Sequence, residues 1–454
     1  MKRPASLVRR LPPPPRIAPL ARLRDRIVAG EWLRLRTRFR RRGLLAFLAV
    51  MGPGLIAGIA GNDAGGITTY SVLGAETGFR LLWLFPITIV ILAVVQEMAA
   101  RLGVVTGQGL SDLIRDRFGV RWTLFAMVVL LVANLANTVA EFAGAAAALE
   151  IFGVPRWLTV PVVAVAIWAL VLFASYRTVE RVFLSVMLVF LAYIASAILA
   201  GPDWGMVARS LVTPELDLSG TSLLLMVALV GTTITPYMQF YLQSAVAEKG
   251  IDEEELRLEQ ADAVGGAIWT NVVAIFIVVA TAQVLFASGA TVESAADAAL
   301  ALSPVAGELS SALFALGLFG ASVLAATIMP LSTAYVISEA FGWESGVGKP
   351  FRDAPAFFGL YTFVLAVGAA SVLLIAGRDL IGVIVASQNL QGLLLPIVLL
   401  FMLRLVNDRR LLGAHTNGRR RNLLAVACIG LVIVLDVALL GVTLLEGLGV
   451  RVSG

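Results

Sequence analysis

Cysteine and histidine are almost missing from this chain: there is one of each in 454 residues. Each scarcity excludes something. Cys428 stands alone in an apolar stretch, which rules out a disulfide framework and a thiolate metal centre. His415 stands alone in a basic loop and cannot build a histidine site. Charge is scarce too. Soluble domains carry roughly a quarter charged residues, whereas here 14% are charged, 59% are hydrophobic and the mean hydropathy is +0.90. That composition defines an integral membrane protein. No nucleophile–base set and no phosphate loop is present, so an enzyme is not expected. The N-terminus lacks an apolar core ending in a small-residue cleavage site, so no cleavable signal peptide is expected.

What the chain does have is a series of apolar runs, each at least about 20 residues long, as a bilayer requires. Eleven spans are expected, near 44–77, 82–104, 122–150, 156–175, 179–200 and 221–246, then 264–288, 308–341, 355–376, 380–405 and 422–446. Their Lys and Arg residues alternate. Fourteen bases crowd residues 1–42, from Lys2 and Arg3 to Arg40, Arg41 and Arg42. Every second loop after that is basic: Arg101/Arg115/Arg117/Arg121, Arg177/Arg181, Lys249/Arg257, Lys349/Arg352 and Arg404/Arg409/Arg410/Arg419/Arg420/Arg421. The intervening loops hold one Arg or none. By the positive-inside rule the N-terminus is cytoplasmic, and an odd number of spans puts the C-terminus outside, in a bacterial-type cytoplasmic (inner) membrane.

The expected organisation is a cytoplasmic basic arm (1–43), a first five-helix repeat (44–200) and an extracellular loop (201–220). A second five-helix repeat (221–406), a basic cytoplasmic loop (407–421) and an eleventh helix with the C-terminus (422–454) follow. The arm holds a proline run, Pro12 to Pro15, and reads as a topology signal lying on anionic lipid. No aromatic or fold motif accompanies its charge, so nucleic acid is not an expected partner. Residues 251–262 read as a short cytoplasmic helix with solvated charges.

Two spans carry helix breakers, the first and the sixth. The first holds Gly61-Asn62-Asp63-Ala64-Gly65-Gly66 inside an otherwise uncharged run from Leu44 to Glu76. A carboxylate at that depth costs roughly 2.5–3.5 kcal/mol on insertion scales and marks function. Glycines soften the helix at the same place. The sixth holds Val230-Gly231-Thr232-Thr233-Ile234-Thr235-Pro236-Tyr237, where Pro removes a helix hydrogen bond and clashes one turn back. Interrupted segments in corresponding positions of two five-span halves point to an inverted-repeat transporter with its site at the midplane. Asp63, with Asn62, the hydroxyls of Thr232 and Thr235, and the carbonyls of residues 60–66 and 231–235, makes a plausible all-oxygen cage, and such cages suit hard divalent cations.

Other polar groups lie within the spans. Glu141, with Asn134 and Asn137 on the third span, either lines an aqueous pathway or pairs structurally. Gln388 and Asn389 on the tenth span either add amide oxygen to the cage or make an interhelix hydrogen bond. Glu97 is best paired with Arg101, four residues on. Asp436, mid-span in the eleventh helix, has no assignment.

Gly52-Pro53-Gly54-Leu55-Ile56-Ala57-Gly58 followed by Asp63-Ala64-Gly65-Gly66 resembles the first-span signature of the NRAMP divalent-metal transporters, whose core is Asp-Pro-Gly-Asn. Ala100-Arg101-Leu102-Gly103-Val104-Val105-Thr106-Gly107 is similar to that family's second span, Glu141 with Gly144 to its third, and Ser387-Gln388 to its tenth. The resemblance implies an all-α, LeuT-like inverted repeat of 5+5 transmembrane helices, with helices 1 and 6 broken, plus an eleventh helix. It also implies a metal site built from the first-span Asp and Asn, a sixth-span Met, backbone carbonyls and the tenth-span Gln. This sequence departs from that set: the Asn position holds Gly66, and Met-Pro-His reads Thr235-Pro236-Tyr237. The ninth span also lacks the family's Arg residues, and the third-span Asp appears as Thr138 or Asn137.

Losing the thioether removes the one soft ligand, and losing the His removes a group that titrates near neutrality. These changes resemble the NRAMP-related magnesium transporter branch, which implies uptake of Mg²⁺ and Mn²⁺ without proton coupling. The expected ligands are therefore Asp63, Asn62, Gly66, Thr232, Thr235 and Gln388, with Glu141, Tyr237 and Asn137 along the permeation path. The expected partners are the transported ions and the bilayer. No resident cofactor is implied, and the sequence leaves the oligomeric state open, with a monomer plausible.

Overall fold

The computed structural model describes residues 60–173, 191–217, 219–251, 253–345, 351–375 and 379–447. The basic arm, the Gly52–Gly58 signature, the start of the first span and residues 179–190 of the fifth lie outside the described residues. So do Arg177, Arg181 and Lys349, and the side chain of Lys249.

The described chain is helical throughout its regular elements. After a 3₁₀ turn at Ala60–Asn62 come α1 (Ala64–Thr77), α2 (Leu84–Thr106), α3 (Leu110–Phe118), α4 (Val120–Glu150), α5 (Arg156–Phe173) and α6 (Trp204–Val212). The second half comprises α7 (Gly220–Thr233), α8 (Pro236–Lys249), α9 (Leu256–Val284), α10 (Ser310–Phe341), α11 (Pro355–Leu374), α12 (Leu380–Val406) and α13 (Arg419–Gly447). Among the described residues, eight helices are long and apolar enough to cross a membrane. The count becomes nine if Leu191–Leu199 and Trp204–Val212, bent by 118° at their break, are one span. The sequence reading of eleven differs at the first, fourth and fifth spans. Of these, the first and fifth are described only in part, and the fourth is the short α5.

Two packing groups form. In one, α9 packs against α1 and α2, and α2 against α8; in the other, α4 packs against α10, α11 and α12. Helices at matching positions of the two repeats thus pair, α2 with α9 and α4 with α10, as a pseudo-two-fold requires. Between the groups, α7 lies on α12 with no side chain separating them: a methyl group on Gly231 would run into the Gln388 carbonyl, and one on Gly392 would come 2.7 Å from the Val227 carbonyl. Glycine at both positions lets the backbones touch.

One end of the bundle gathers the basic loops. Arg101, 1% exposed on α2, donates to the His415 carbonyl (2.7 Å), Asn417 Oδ1 (2.7 Å) and Glu97 (2.9 Å). Gln260 donates to the other Glu97 oxygen at 2.7 Å, which brings in the start of α9. Arg115 Nη1 donates to the carbonyls of Glu339 and Ala340, where the last turn of α10 leaves acceptors open. Residues 251–262 differ from the sequence reading. They hold a 3₁₀ turn at Glu253–Glu255 and then run straight into α9. Glu259 and Asp262, three residues apart near the start of α9, share one face of the helix and are buried, whereas Glu253 and Glu254 stay exposed.

Candidate metal site at the helix breaks

Asp63 ends the 3₁₀ turn and caps α1. Its backbone is extended (φ −73°, ψ −171°), and its Oδ1 accepts from the Gly66 N–H at 2.9 Å. Carboxylates are favoured N-caps because they satisfy an orphan N–H and meet the positive end of the helix dipole. Gly66 is fixed by the same geometry, since a methyl group there would run into the Gly61 carbonyl. The Asn side chain that the family resemblance implies at this position has no room here, and Gly66 has only backbone to offer.

The other carboxylate oxygen faces α4. Asn137 Nδ2 donates to Asp63 Oδ2 at 3.3 Å, and Gln388 Nε2 of α12 donates to Asn137 Oδ1 at 2.9 Å. Gln388 lies flat on the break, where a methyl group on Gly65 would overlap its amide. Glu141, one turn from Asn137 on α4, accepts at 3.3 Å from the N–H of Ala64, the residue that follows Asp63, so the two carboxyl groups are near neighbours. Asp63 is 4% exposed, and Asn137, Glu141 and Gln388 are fully buried. Two carboxyl groups this close and out of water cannot both stay ionised unless a cation lies between them; otherwise one of them holds a proton. This arrangement is built to receive positive charge.

The second break lies alongside. α7 ends at Ile234 (φ −126°, ψ 61°), and α8 begins with Thr235 as N-cap and Pro236 in the first turn. The Thr232 carbonyl faces Gly61, 3.6 Å from where a Cβ would sit. Thr232, Thr235 and Tyr237 are buried at 1%, 1% and 2% exposure. Buried polar atoms normally find partners. Both amide atoms of Asn62, Thr232 Oγ1 and Gln388 Oε1 are among the buried polar atoms around the break that find none among the described residues.

Among the sequence-expected residues, Asp63, Asn137, Glu141 and Gln388 therefore meet in one cluster, with Asn62 and Thr232 beside it. Thr235 is placed as the cap of α8. Asn134 and Asn389 lie apart, bonded to Thr333 Oγ1 and the Val385 carbonyl. No group of three or more His, Cys, Asp or Glu side chains poised for a metal occurs among the described residues. A cation held here would be met by two carboxylates at most and otherwise by neutral groups.

One participant was missed in the sequence. Met329 of α10 is fully buried, and its Sδ accepts from Asn137 Nδ2 at 3.6 Å. The loss of the sixth-span Met does not leave the site without sulfur. A signal was present in Met329-Pro330, a helix breaker deep in the eighth span, but nothing in the linear order connects that turn to Asp63.

The helix starts at Asp63 and Thr235, brought together at buried acidic and amide side chains with repeat-related helices paired around them, are the arrangement of the LeuT-like fold. The particular family follows from comparison. The chain belongs to the natural resistance-associated macrophage protein-like (Nramp) family, whose model matches residues 54–441. It is 29% identical to a divalent metal cation transporter MntH of Deinococcus radiodurans, over 90% of this chain and 92% of that one. It is 26% identical to a protein of the same name from Granulibacter bethesdensis, over 94% of each. Among solved structures, a manganese transporter of Eremococcus coleocola superposes with a TM-score of 0.69 at 20% identity over 87% of both chains. MhsT, solved with L-phenylalanine, matches with a TM-score of 0.56 at 15% identity, over 86% of this chain and 97% of its own. These likenesses show the fold.

Proposed function

We propose that this protein carries divalent metal cations, Mg²⁺ and Mn²⁺, into the cytoplasm across the cytoplasmic membrane, uncoupled from protons. The observation that carries the reading is Asp63: a buried carboxylate capping a half-helix at a break, ringed by Asn137, Gln388, Asn62 and Thr232. Family membership and the names of the MntH relatives support a divalent cation as cargo. Amide, hydroxyl and carbonyl oxygens suit Mg²⁺, which keeps several of its waters, as well as Mn²⁺. Tyr237, where other family members carry His, offers no group that titrates near neutrality, which supports uncoupled transport. An inward-negative potential of 100 mV contributes about 2.3 kcal/mol per charge, so a divalent ion gains roughly twice that. Gathering of the basic loops at one end of the bundle supports a cytoplasmic N-terminus.

A second reading, proton-coupled Mn²⁺ import, is favoured by the nearness of Glu141 to Asp63, because Glu141 could carry a proton that metal entry displaces. One assay separates the two. Proteoliposomes with an internal pH reporter are expected to take up Mg²⁺ and Mn²⁺ without internal acidification. Acidification that follows Mn²⁺ entry would establish the coupled reading, and absence of any Mg²⁺ flux would remove Mg²⁺ from the cargo.

A further inference from the structure

We propose that Met329 is a ligand to the transported ion, and that its thioether is what lets this oxygen-rich site hold Mn²⁺ and softer divalent ions beside Mg²⁺. The inference rests on the reading of Asp63 as a cation ligand.

The geometry centres on one atom. Asn137 Nδ2 donates both to Asp63 Oδ2, at 3.3 Å, and to Met329 Sδ, at 3.6 Å. The carboxylate and the sulfur thus converge on a single partially positive amide group, and a cation would sit against that group, between the two. A methionine that merely fills a membrane core needs only apolar neighbours. This sulfur instead accepts a hydrogen bond at a node whose other acceptor is a buried carboxylate.

The amide–amide bond at the node can be kept when an ion arrives, at the cost of the bond from Gln388 Nε2 to Ser387 Oγ. Asn137 Oδ1 now accepts from Gln388 Nε2 at 2.9 Å, while Gln388 Oε1 has no hydrogen-bond partner among the described residues. If both amides turn by half a revolution, Asn137 Oδ1 faces the ion and Asn137 Nδ2 donates to Gln388 Oε1. The amide–amide bond survives, and the ion gains Asp63 Oδ2, Asn137 Oδ1 and Met329 Sδ as ligands.

Met329 is also held in register. Its carbonyl accepts from Thr333 Oγ1 at 2.8 Å, and Thr333 Oγ1 in turn accepts from Asn134 Nδ2 at 2.7 Å. Two α4 amides three residues apart thus contact two α10 positions four apart, which fixes where the Met329 stem begins. Mg²⁺ takes oxygen ligands and ignores the sulfur, whereas a thioether favours ions toward the softer side, Cd²⁺ most of all.

Cd²⁺ is the probe. X-ray absorption at the cadmium edge on the Cd²⁺-loaded full chain is expected to show a sulfur scatterer, which disappears in Met329→Leu, a volume-conserving change. In titrations, Met329→Leu is expected to weaken Cd²⁺ about tenfold more than Mg²⁺, the size of a 1.4 kcal/mol loss, with Mn²⁺ between. A wild-type protein that binds Cd²⁺ without a sulfur neighbour overturns the assignment whatever the variant does. So does an equal loss of Cd²⁺ and Mg²⁺ in Met329→Leu, or a sulfur signal that persists in it. A wild-type protein that binds no divalent ion overturns the parent reading as well.

Discussion

The hydroxyls of Tyr70 and Thr233 lie 3.1 Å apart, and they tie together the two half-helices that flank the site, α1 and α7. Thr233 gives its own hydrogen to the Leu229 carbonyl at 2.7 Å, so Tyr70 is the donor of the pair. Both residues are fully buried. A neutral hydrogen bond of this kind contributes about 1 kcal/mol net, and here it joins elements that must move as one if the site is to stay formed. Tyr70→Phe is expected to lower the thermal midpoint in detergent by a few degrees and to reduce the maximal Mn²⁺ uptake rate more than it raises KM, because Tyr70 itself need not touch the ion. Wild-type rate and midpoint in liposomes and detergent would show that the two half-helices are held by packing alone.

Asp63 has two separable duties, as cap and as charge. Asn is as good an N-cap as Asp, whereas Ala forfeits about 1 kcal/mol at such a position. Asp63→Asn is therefore expected to fold with near wild-type stability and yet take up neither Mg²⁺ nor Mn²⁺ above background. Asp63→Ala is expected to lose stability as well. Uptake by the Asn variant at more than a small fraction of the wild-type rate would mean that the ion does not rest on this carboxylate.

Those two residues also mark how far the sequence could be read. Asp63 and both breaks were legible because their causes are local: glycine softening, a missing proline N–H and a charge in an apolar run each act within one turn. Gln388 was legible as a ligand candidate beside Asp63 through its likeness to the family's tenth-span glutamine, whereas Glu141 and Asn137 were legible only as polar groups along the path. Met329, the Tyr70–Thr233 bond and the Gly231–Gln388 contact were not, because each joins residues more than 150 positions apart that only packing brings together. The misreading of 251–262 has another cause. Its acidic composition suggested a solvated segment, whereas Glu259 and Asp262, spaced by one helical turn, face inward.

The close approach of α7 and α12 gives a test that uses only a methyl group. On Gly231 that methyl would overlap the Gln388 carbonyl, while on Gly265 of α9 it would meet nothing within 4 Å. Overpacking costs typically about 1–3 kcal/mol, whereas Gly to Ala in an open helical position gains roughly 0.5–1 kcal/mol. Gly231→Ala is expected to lower the thermal midpoint and impair uptake by displacing Gln388, and Gly265→Ala is expected to match or exceed the wild type in stability. Equal behaviour of the two variants would mean that the helices part without cost.

Arg101 makes the opposite kind of contact, one that depends on its fork. Three acceptors on two segments converge on its guanidinium: Glu97 on its own helix, and the His415 carbonyl and Asn417 Oδ1 on the 407–421 loop. A second base, Arg421, lies 3.9 Å from Glu97 with its own side chain 62% exposed, and it cannot replace a buried donor. Removing one partner of a buried pair typically costs about 3–5 kcal/mol. The cost here falls toward the low end of that range, because Glu97 is 18% exposed and keeps Gln260. Arg101→Met is expected to destabilise the protein in detergent by several degrees and to free the 407–421 loop to added protease. Arg101→Lys keeps the charge but not the fork and recovers only part of the loss. Full recovery with Lys would show that charge alone pins the loop, and an undisturbed Met variant would show that the loop is held elsewhere.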